Sequence, residues 1–209
     1  RRRLNGVATN GGLLEDRGHA ICDLQGAVSL TGRHNWQNAA AAYATTRTLG
    51  VDPETIARAI LNFPGLAHRM EHIAAIDGVQ FINDSKATTP HATIAALTGF
   101  HNAVLIVGGR NKGLDLSDLQ ELATGLAGVV TIGESSPMLA EVFDGLVPSV
   151  AADSMEDAVT QAVRFAKTSG ADVVLSPACA SFDWYSNYIE RGDHFKNVIE
   201  RLNSEGDIA

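Results

Sequence analysis

Most of this chain is predicted to form a Rossmann-like, doubly wound α/β fold on a mostly parallel sheet, and three observations predict it. Ala103-Val-Leu-Ile-Val107 and Val173-Val-Leu175 are short continuous apolar runs, as expected for strands covered on both faces. From Val79 onward, strand-like and helix-like segments alternate, which is the pattern of crossover connections in a parallel sheet. Just before that point, Asp77-Gly78 sits between two apolar segments, a strong local signal for a β-hairpin.

The first 33 residues are punctuated by Gly11, Gly12, Gly18 and Gly32, with Ala20–Leu24 and Ala27–Leu30 reading as strands of a sheet edge. Arg1–Arg33 does not resemble the opening of an independent domain, so the sequence is expected to start partway along a longer polypeptide. Asn35 to about Leu49 is rich in Ala and stops at Gly50, which predicts a helix ended by a C′ glycine. Asp52-Pro53 begins another, with Asp as N-cap and Pro at the first helical position. That helix should end near Asn62-Phe-Pro-Gly65, and a domain boundary is expected at Gly65–His68, dividing residues 1–66 from 67–209. Strands Met70–Ile76 and Val79–Asn83 flank the hairpin turn. Then come helix Pro90–Leu97, strand Ala103–Val107, a helix near Leu116–Leu126, strand Val129–Ile132 and a helix near Pro137–Phe143. Helix Met155–Thr168, strand Val173–Leu175 and helix Tyr188–Leu202 complete the series.

Composition narrows the function classes. Hydrophobic residues at 45% against charged residues at 19% predict a conventional buried core rather than disorder. A net charge of −8 argues against nucleic acid as a partner, because phosphate contacts need a basic face. No apolar run has membrane-spanning length, and no signal peptide is visible at the start, so no membrane partner is expected. Cys22 and Cys179 make no disulfide framework, which suits a reducing cytoplasm.

In open α/β sheets ligands collect at the carboxyl ends of strands. Four segments fall there: Asn83–Thr89, Gly108–Gly113, Gly133–Ser136 and Ser176–Phe182. The first, second and fourth carry the useful groups. Thr88 and Ser181 offer hydroxyls expected near helix N-termini, where unpaired N–H groups favour a carboxylate or phosphate. Lys112 lies in a glycine-loosened loop from which its ammonium can reach a carboxylate. Taken singly, these hydroxyls read as helix caps and the glycines as turns; three such loops on one sheet edge read as a site for an anion.

Asp84 and Lys86 suit a ribose hydroxyl or cation and a phosphate respectively, or an ordinary surface ion pair. Asn35 and Asn38 place two amides on one helix face. Amides can read an adenine edge, though Asn at a helix start is also a common cap. Arg69, after the predicted boundary, can swing onto phosphate oxygens or remain a solvated cation. Cys179 has no His placed beside it by the sequence and reads as a small buried hydrophobe. The seven histidines show no zinc-ligand spacing with the cysteines, and no phosphate loop of the form G-x-x-x-x-G-K-[ST] occurs.

Four segments together resemble the Mur ligases of bacterial peptidoglycan synthesis: Gly32-Arg-His-Asn-Trp-Gln-Asn38, His68-Arg-Met-Glu71, Asn83-Asp-Ser-Lys-Ala-Thr88 and Leu175-Ser-Pro-Ala-Cys-Ala-Ser-Phe-Asp183. Glu190-Arg-Gly192 and Phe195 close the series. The third and fourth segments point to the branch of the family that adds D-glutamate to UDP-N-acetylmuramoyl-L-alanine. The resemblance implies that residues 1–66 end a central ATP-binding domain and residues 67–209 form the C-terminal amino-acid-binding domain. It implies an ATP-dependent reaction through an acyl phosphate that the amine of D-glutamate attacks. ATP and Mg2+ are the implied cofactors, with the main metal ligands and the phosphate loop in earlier parts of the family's chain. A catalytically incomplete fragment is therefore expected.

Carried over by the resemblance, Asn35 and Asn38 contact adenine. Arg69, Asp84 and Lys86 touch ATP and form the catalytic group. Thr88, Lys112, Ser181, Phe182 and Tyr188 hold D-glutamate. No metal ligand is assigned within the chain, and a monomer is expected. Thr89-Pro90 and Arg110-Asn111 depart from the family pattern. The alternatives are a non-catalytic module binding a nucleotide or acidic metabolite, and a relative of folylpolyglutamate synthetase, which should lack the Ser-Pro-Ala-Cys-Ala-Ser-Phe-Asp run.

Overall fold

A computed structural model describes residues 6–27, 29–30 and 32–205, and the chain divides into two compact units, Arg1–Gly65 and Leu66–Ala209. In the first unit, β1 (Val7–Asn10), β2 (Leu13–Asp16) and β3 (His19–Asp23) form an antiparallel sheet in sequential order. Two helices follow, α1 (Arg33–Thr48) and α2 (Pro53–Leu61). Leu14, Leu24, Ala39, Tyr43, Ile56 and Ile60 make its core. As the sequence predicts, Asp52 caps α2, its carboxylate accepting from the N–H groups of Glu54 at 2.9 Å and Thr55 at 3.2 Å. The predicted strand Ala20–Leu24 corresponds to β3. Of the predicted strand Ala27–Leu30, residue 28 lies outside the described residues and the others belong to no strand. The first strands, β1 and β2, are too short and mixed in polarity to announce themselves.

The second unit carries a six-stranded sheet in the order β4-β5-β9-β6-β7-β8, comprising β4 (Glu71–Ile76), β5 (Val79–Asn83), β6 (Ala103–Gly108), β7 (Leu126–Ile132), β8 (Ser149–Ala152) and β9 (Asp172–Ala178). Only β4 runs antiparallel, joined to β5 by the predicted turn. Asp77 and Gly78 there both take positive φ, 50° and 83°, as a tight hairpin matching the sheet's twist requires. The other pairings, β5 with β9, β9 with β6, β6 with β7 and β7 with β8, are parallel.

Alternate residues of the central strands feed two cores. Val104, Ile106, Val173 and Leu175 pack with α5 (Met155–Ser169) and α6 (Tyr188–Glu205) on one face. Ala103, Leu105, Val107 and Val174 pack with α3 (Pro90–Leu97), a 3₁₀ segment (Ser117–Gly125) and α4 (Ser136–Phe143) on the other. Every residue of β6 is buried, which explains its uninterrupted apolar sequence.

Three elements of this second unit differ from expectation. The helix predicted near Leu116–Leu126 is a 3₁₀ segment, because Leu116, Leu119 and Leu122 recur every third residue and so line up on one buried edge at three residues per turn. Strand β8 was not predicted; its four residues form a short sheet edge with mixed exposure. Strand β9 extends beyond Leu175 through Ser176 and Pro177 to Ala178, all three buried. Among the described residues no helix is long and apolar enough to cross a membrane.

Candidate functional site

The topology opens a crevice at three adjacent strand ends. After β5 and β6 the chain passes to the face covered by α3 and the 3₁₀ segment, and after β9 it passes to α6 on the opposite face. Neighbouring strands whose connections leave in opposite directions splay their loops apart, and ligands of α/β proteins bind at such points. The three loops so placed are 84–89, 109–113 and 179–187, carrying all the second unit's predicted site residues except Arg69 and Tyr188.

The floor of this crevice is Arg191, which projects from α6 and is 1% exposed. Its Nε donates to Ser85 Oγ at 3.0 Å and Nη2 to Ser85 O at 2.9 Å. Its Nη1 donates to Cys179 O at 3.1 Å and Gly108 O at 3.4 Å. One guanidinium thus joins the ends of β5, β9 and β6. Burial holds its pKa down to about 10, so it remains a cation at neutral pH. Ser85 Oγ passes the network on by donating to Tyr188 O at 2.8 Å.

Backbone pairing adds to this. The N–H of Arg110 donates to Ala180 O at 2.8 Å and that of Ala180 to Arg110 O at 3.1 Å, so the loops after β6 and β9 run side by side. Gly109 makes the approach possible: its φ is +129°, and a Cβ there would overlap the Ala180 carbonyl. Ser181 is buried and follows this pair directly. It does not stand at a helix N-terminus, as the sequence suggested. Its carbonyl accepts from Tyr185 N–H at 2.9 Å in a separate turn, and α6 begins only at Tyr188. Phe182 is 58% exposed beside it. Lys112 is exposed, and its charge reaches the buried Cys179 thiol. That thiol is nevertheless pushed up by burial, the setting of an inert cysteine.

On the β5 loop, Thr89 rather than Thr88 caps α3, its Oγ1 accepting from Ala92 N–H at 3.4 Å. Thr88 is half-buried just ahead of the cap. Asp84 is 4% exposed. One of its oxygens accepts from Met70 N–H at 3.2 Å and the other from Ser176 Oγ at 2.8 Å. Burial raises its pKa to about 6, against the opposing pull of Ser176, Met70 N–H and the nearby Arg69 charge. Arg69 and Lys86 are both exposed. The Lys86 ammonium sits 4.0 Å from the centre of the Tyr188 ring, a cation–π contact, and its backbone N–H donates to His68 O at 2.9 Å. Tyr188 also meets His68 edge-on at 6.0 Å between ring centres.

His68 is the pivot of this corner. It is buried, and its backbone takes the left-handed conformation, with φ of 63°. The fully buried Asn83 donates through Nδ2 to His68 Nδ1 at 3.1 Å and to Gly192 O at 3.2 Å. With Nδ1 assigned as acceptor by this amide orientation, the ring proton lies on Nε2, 3.7 Å from Asp193. Gly192 is required there, since a Cβ would run into the imidazole.

The structure therefore brings Arg69, Asp84, Lys86 and Tyr188 to one corner, and sets Lys112, Ser181 and Phe182 on the paired loops beyond β6 and β9. Asn35 and Asn38 belong to the first turns of α1 in the other unit, the former buried and the latter exposed. Sequence reasoning missed Arg191 and Ser176, which build these loops, and Glu134, whose carboxylate pairs with Arg110 at 2.6 Å. The arginine had one signal, its place in Glu190-Arg-Gly192. Glu134 lies on the strand-end segment passed over for lack of useful chemistry. No group of three His, Cys, Asp or Glu residues suited to a metal occurs among the described residues.

Residues 68–179 match the protein family described as "Mur ligase, glutamate ligase domain". The chain is 42% identical over 203 residues to the UDP-N-acetylmuramoylalanine–D-glutamate ligase of Phenylobacterium zucineum, covering 94% of this chain and 43% of the relative. Against the enzyme of the same name from Caulobacter vibrioides it is 40% identical over 191 residues, covering 90% and 41%. The chain thus spans less than half the length of these curated relatives. Among solved structures, the UDP-N-acetylmuramate-alanine ligase MurC of Thermotoga maritima superposes with a TM-score of 0.64 at 16% identity, over 92% of this chain and 43% of that one. E. coli FolC in complex with DHPP and ADP gives 0.58 at 18%, over 96% and 46%. At these identities the two structures establish a shared fold.

Proposed function

Because this chain belongs to the Mur ligase family, we propose that it is the amino-acid-binding portion of an ATP-dependent ligase joining D-glutamate to UDP-N-acetylmuramoyl-L-alanine in peptidoglycan synthesis. The observation that carries this reading is the meeting of three hydroxyl- and cation-bearing loops at adjacent strand ends, tied together by Arg191. The identity of 42% to a D-glutamate ligase supports the choice of amino acid.

D-glutamate presents two carboxylates and an amine. Lys112 supplies an exposed ammonium for one carboxylate, and Thr88 and Ser181 supply hydroxyl donors for the other. Phe182, largely exposed, lies against the hydrocarbon stem, and Tyr188 borders the same ligand. On the neighbouring corner, Arg69 and Lys86 are two cations within one loop cluster, a set suited to the phosphates of ATP. Lys86 keeps its ammonium over an aromatic ring until a stronger anion draws it off. Asp84 contributes by holding Met70 N–H and Ser176, which fixes the backbone from which Arg69 extends. In the first unit Asn35 and Asn38 face adenine. ATP supplies the activation of the muramoyl-peptide carboxylate, and the accompanying Mg2+ is held chiefly by residues outside this chain. The role of this unit is to orient the D-glutamate amine and neutralise its carboxylates. The ligase works as a monomer in the cytoplasm.

A chimera joining this chain to the upstream part of the Phenylobacterium zucineum ligase should release ADP when given UDP-N-acetylmuramoyl-L-alanine, D-glutamate and ATP. The chain by itself should not. Lys112→Ala in the chimera should raise KM for D-glutamate by about tenfold or more, the worth of one charge-assisted carboxylate contact, with a smaller change in kcat. A folded chimera that accepts L-glutamate equally well would contradict the proposal.

A further inference from the structure

The geometry points to Arg110 as a further carboxylate-binding residue of the amino-acid site, for which Glu134 competes as an internal substitute for the ligand's carboxylate. This inference rests on the D-glutamate reading above and adds a specificity device to it. Arg110 is one of the positions at which the resemblance implies a departure from the family pattern, and sequence reasoning assigns its side chain no task.

The guanidinium of Arg110 grips Glu134 with both prongs of its fork, Nε to Oε2 at 2.9 Å and Nη2 to Oε1 at 2.6 Å. This is the geometry with which an arginine binds any free carboxylate. Both side chains are about half exposed, 48% and 53%, so the ion pair stands in water and is worth little to the fold. Nor is it needed to hold the loops. Arg110 is already fixed to Ala180 by two backbone hydrogen bonds, and Gly109 is fixed to the β7 end by Gly109 N–H to Ile132 O at 3.0 Å and Ser135 N–H to Gly109 O at 2.9 Å.

Position supplies the other half. Through that backbone pair, Arg110 lies opposite Ala180, one residue before Ser181, and two residues ahead of Lys112 in its own loop. Asp183 acts on Arg110 electrostatically and accepts from Glu134 N–H at 3.0 Å, so the pair borders the 179–187 loop. A dicarboxylate held by Lys112 and Ser181 would bring a carboxylate within the sweep of this fork. Glu134, once released, becomes a hydrated surface carboxylate anchored by its own backbone N–H. The exchange trades one bidentate pair for another.

The test is a calorimetric titration of the whole chain with D-glutamate for the parent, Arg110→Gln, Glu134→Gln and the double variant. Arg110→Gln should weaken binding about tenfold, and Glu134→Gln should tighten it about threefold or more by leaving the guanidinium uncontested. The double variant should bind like Arg110→Gln alone. Gain of affinity in Glu134→Gln cannot arise from misfolding. If parent binding persists while both single variants are unchanged, or both weaken it alike, Arg110 has no contact with the ligand and only this inference falls. If the parent does not bind D-glutamate, the underlying reading falls with it.

Discussion

Replacing Arg191 with Ala is expected to lower the stability of the Leu66–Ala209 unit by about 3–5 kcal/mol, because it orphans several buried acceptors at once. Ser85 O, Cys179 O and Gly108 O all lose their side-chain donor, and the Ser85 hydroxyl loses the group that orients it. The vacated volume also lies beneath the ends of three strands rather than at a surface. Arg191→Lys should recover only part of the loss, since one ammonium cannot reach three carbonyls arranged around a planar fork. Urea unfolding of parent and variants would check this through the midpoint at constant slope. Unchanged midpoints for Arg191→Ala would mean that the loops hold together without their floor.

Asp84→Asn is expected to act in the opposite direction at neutral pH. The folded-state pKa of Asp84, about 6, lies above the ordinary aspartate value of 3.8. The native state therefore holds its proton more tightly than the unfolded chain. The associated stabilisation is complete below pH 3.8 and is lost as pH rises through 6, reaching on the order of 3 kcal/mol by linkage. Asn keeps the shape, can accept from Met70 N–H, and can donate to Ser176 Oγ, but does not titrate. The variant should thus gain on the parent steadily between about pH 4 and pH 6 and stay ahead at pH 7. Stability curves that run parallel across that interval would exclude the buried carboxylate as a stored cost. Retaining such a residue suits a site in which stability has been traded for charge.

Much of the fold was legible because its signals are local. Asp77-Gly78 marked the hairpin, Asp52-Pro53 a helix start, and the apolar runs of β6 and β9 the buried centre of the sheet. What escaped was either short or distant. The edge strand β8, four residues long, carries no alternation long enough to read. The 3₁₀ segment was mistaken for a helix because Leu116, Leu119 and Leu122 satisfy the three-residue spacing that both helices share. At the site, the loops bearing Thr88, Lys112 and Ser181 were readable from their place after strands. Arg191 was not, since its partners Ser85 and Gly108 lie 106 and 83 residues away in sequence and no pattern within α6 shows which way it turns. Glu134 was passed over for the same reason: its meaning comes from Arg110, which belongs to a neighbouring strand end.

The most direct test is an amide-resolved NMR titration of the chain with D-glutamate and, separately, with L-glutamate. Resonances of Thr88, Lys112 and Ser181 should move together with a single binding constant for the D-enantiomer, and hardly at all for the L-enantiomer. Shifts confined to one of the three loops, or indifferent to the handedness of the ligand, would contradict a shared D-glutamate site at the ends of β5, β6 and β9.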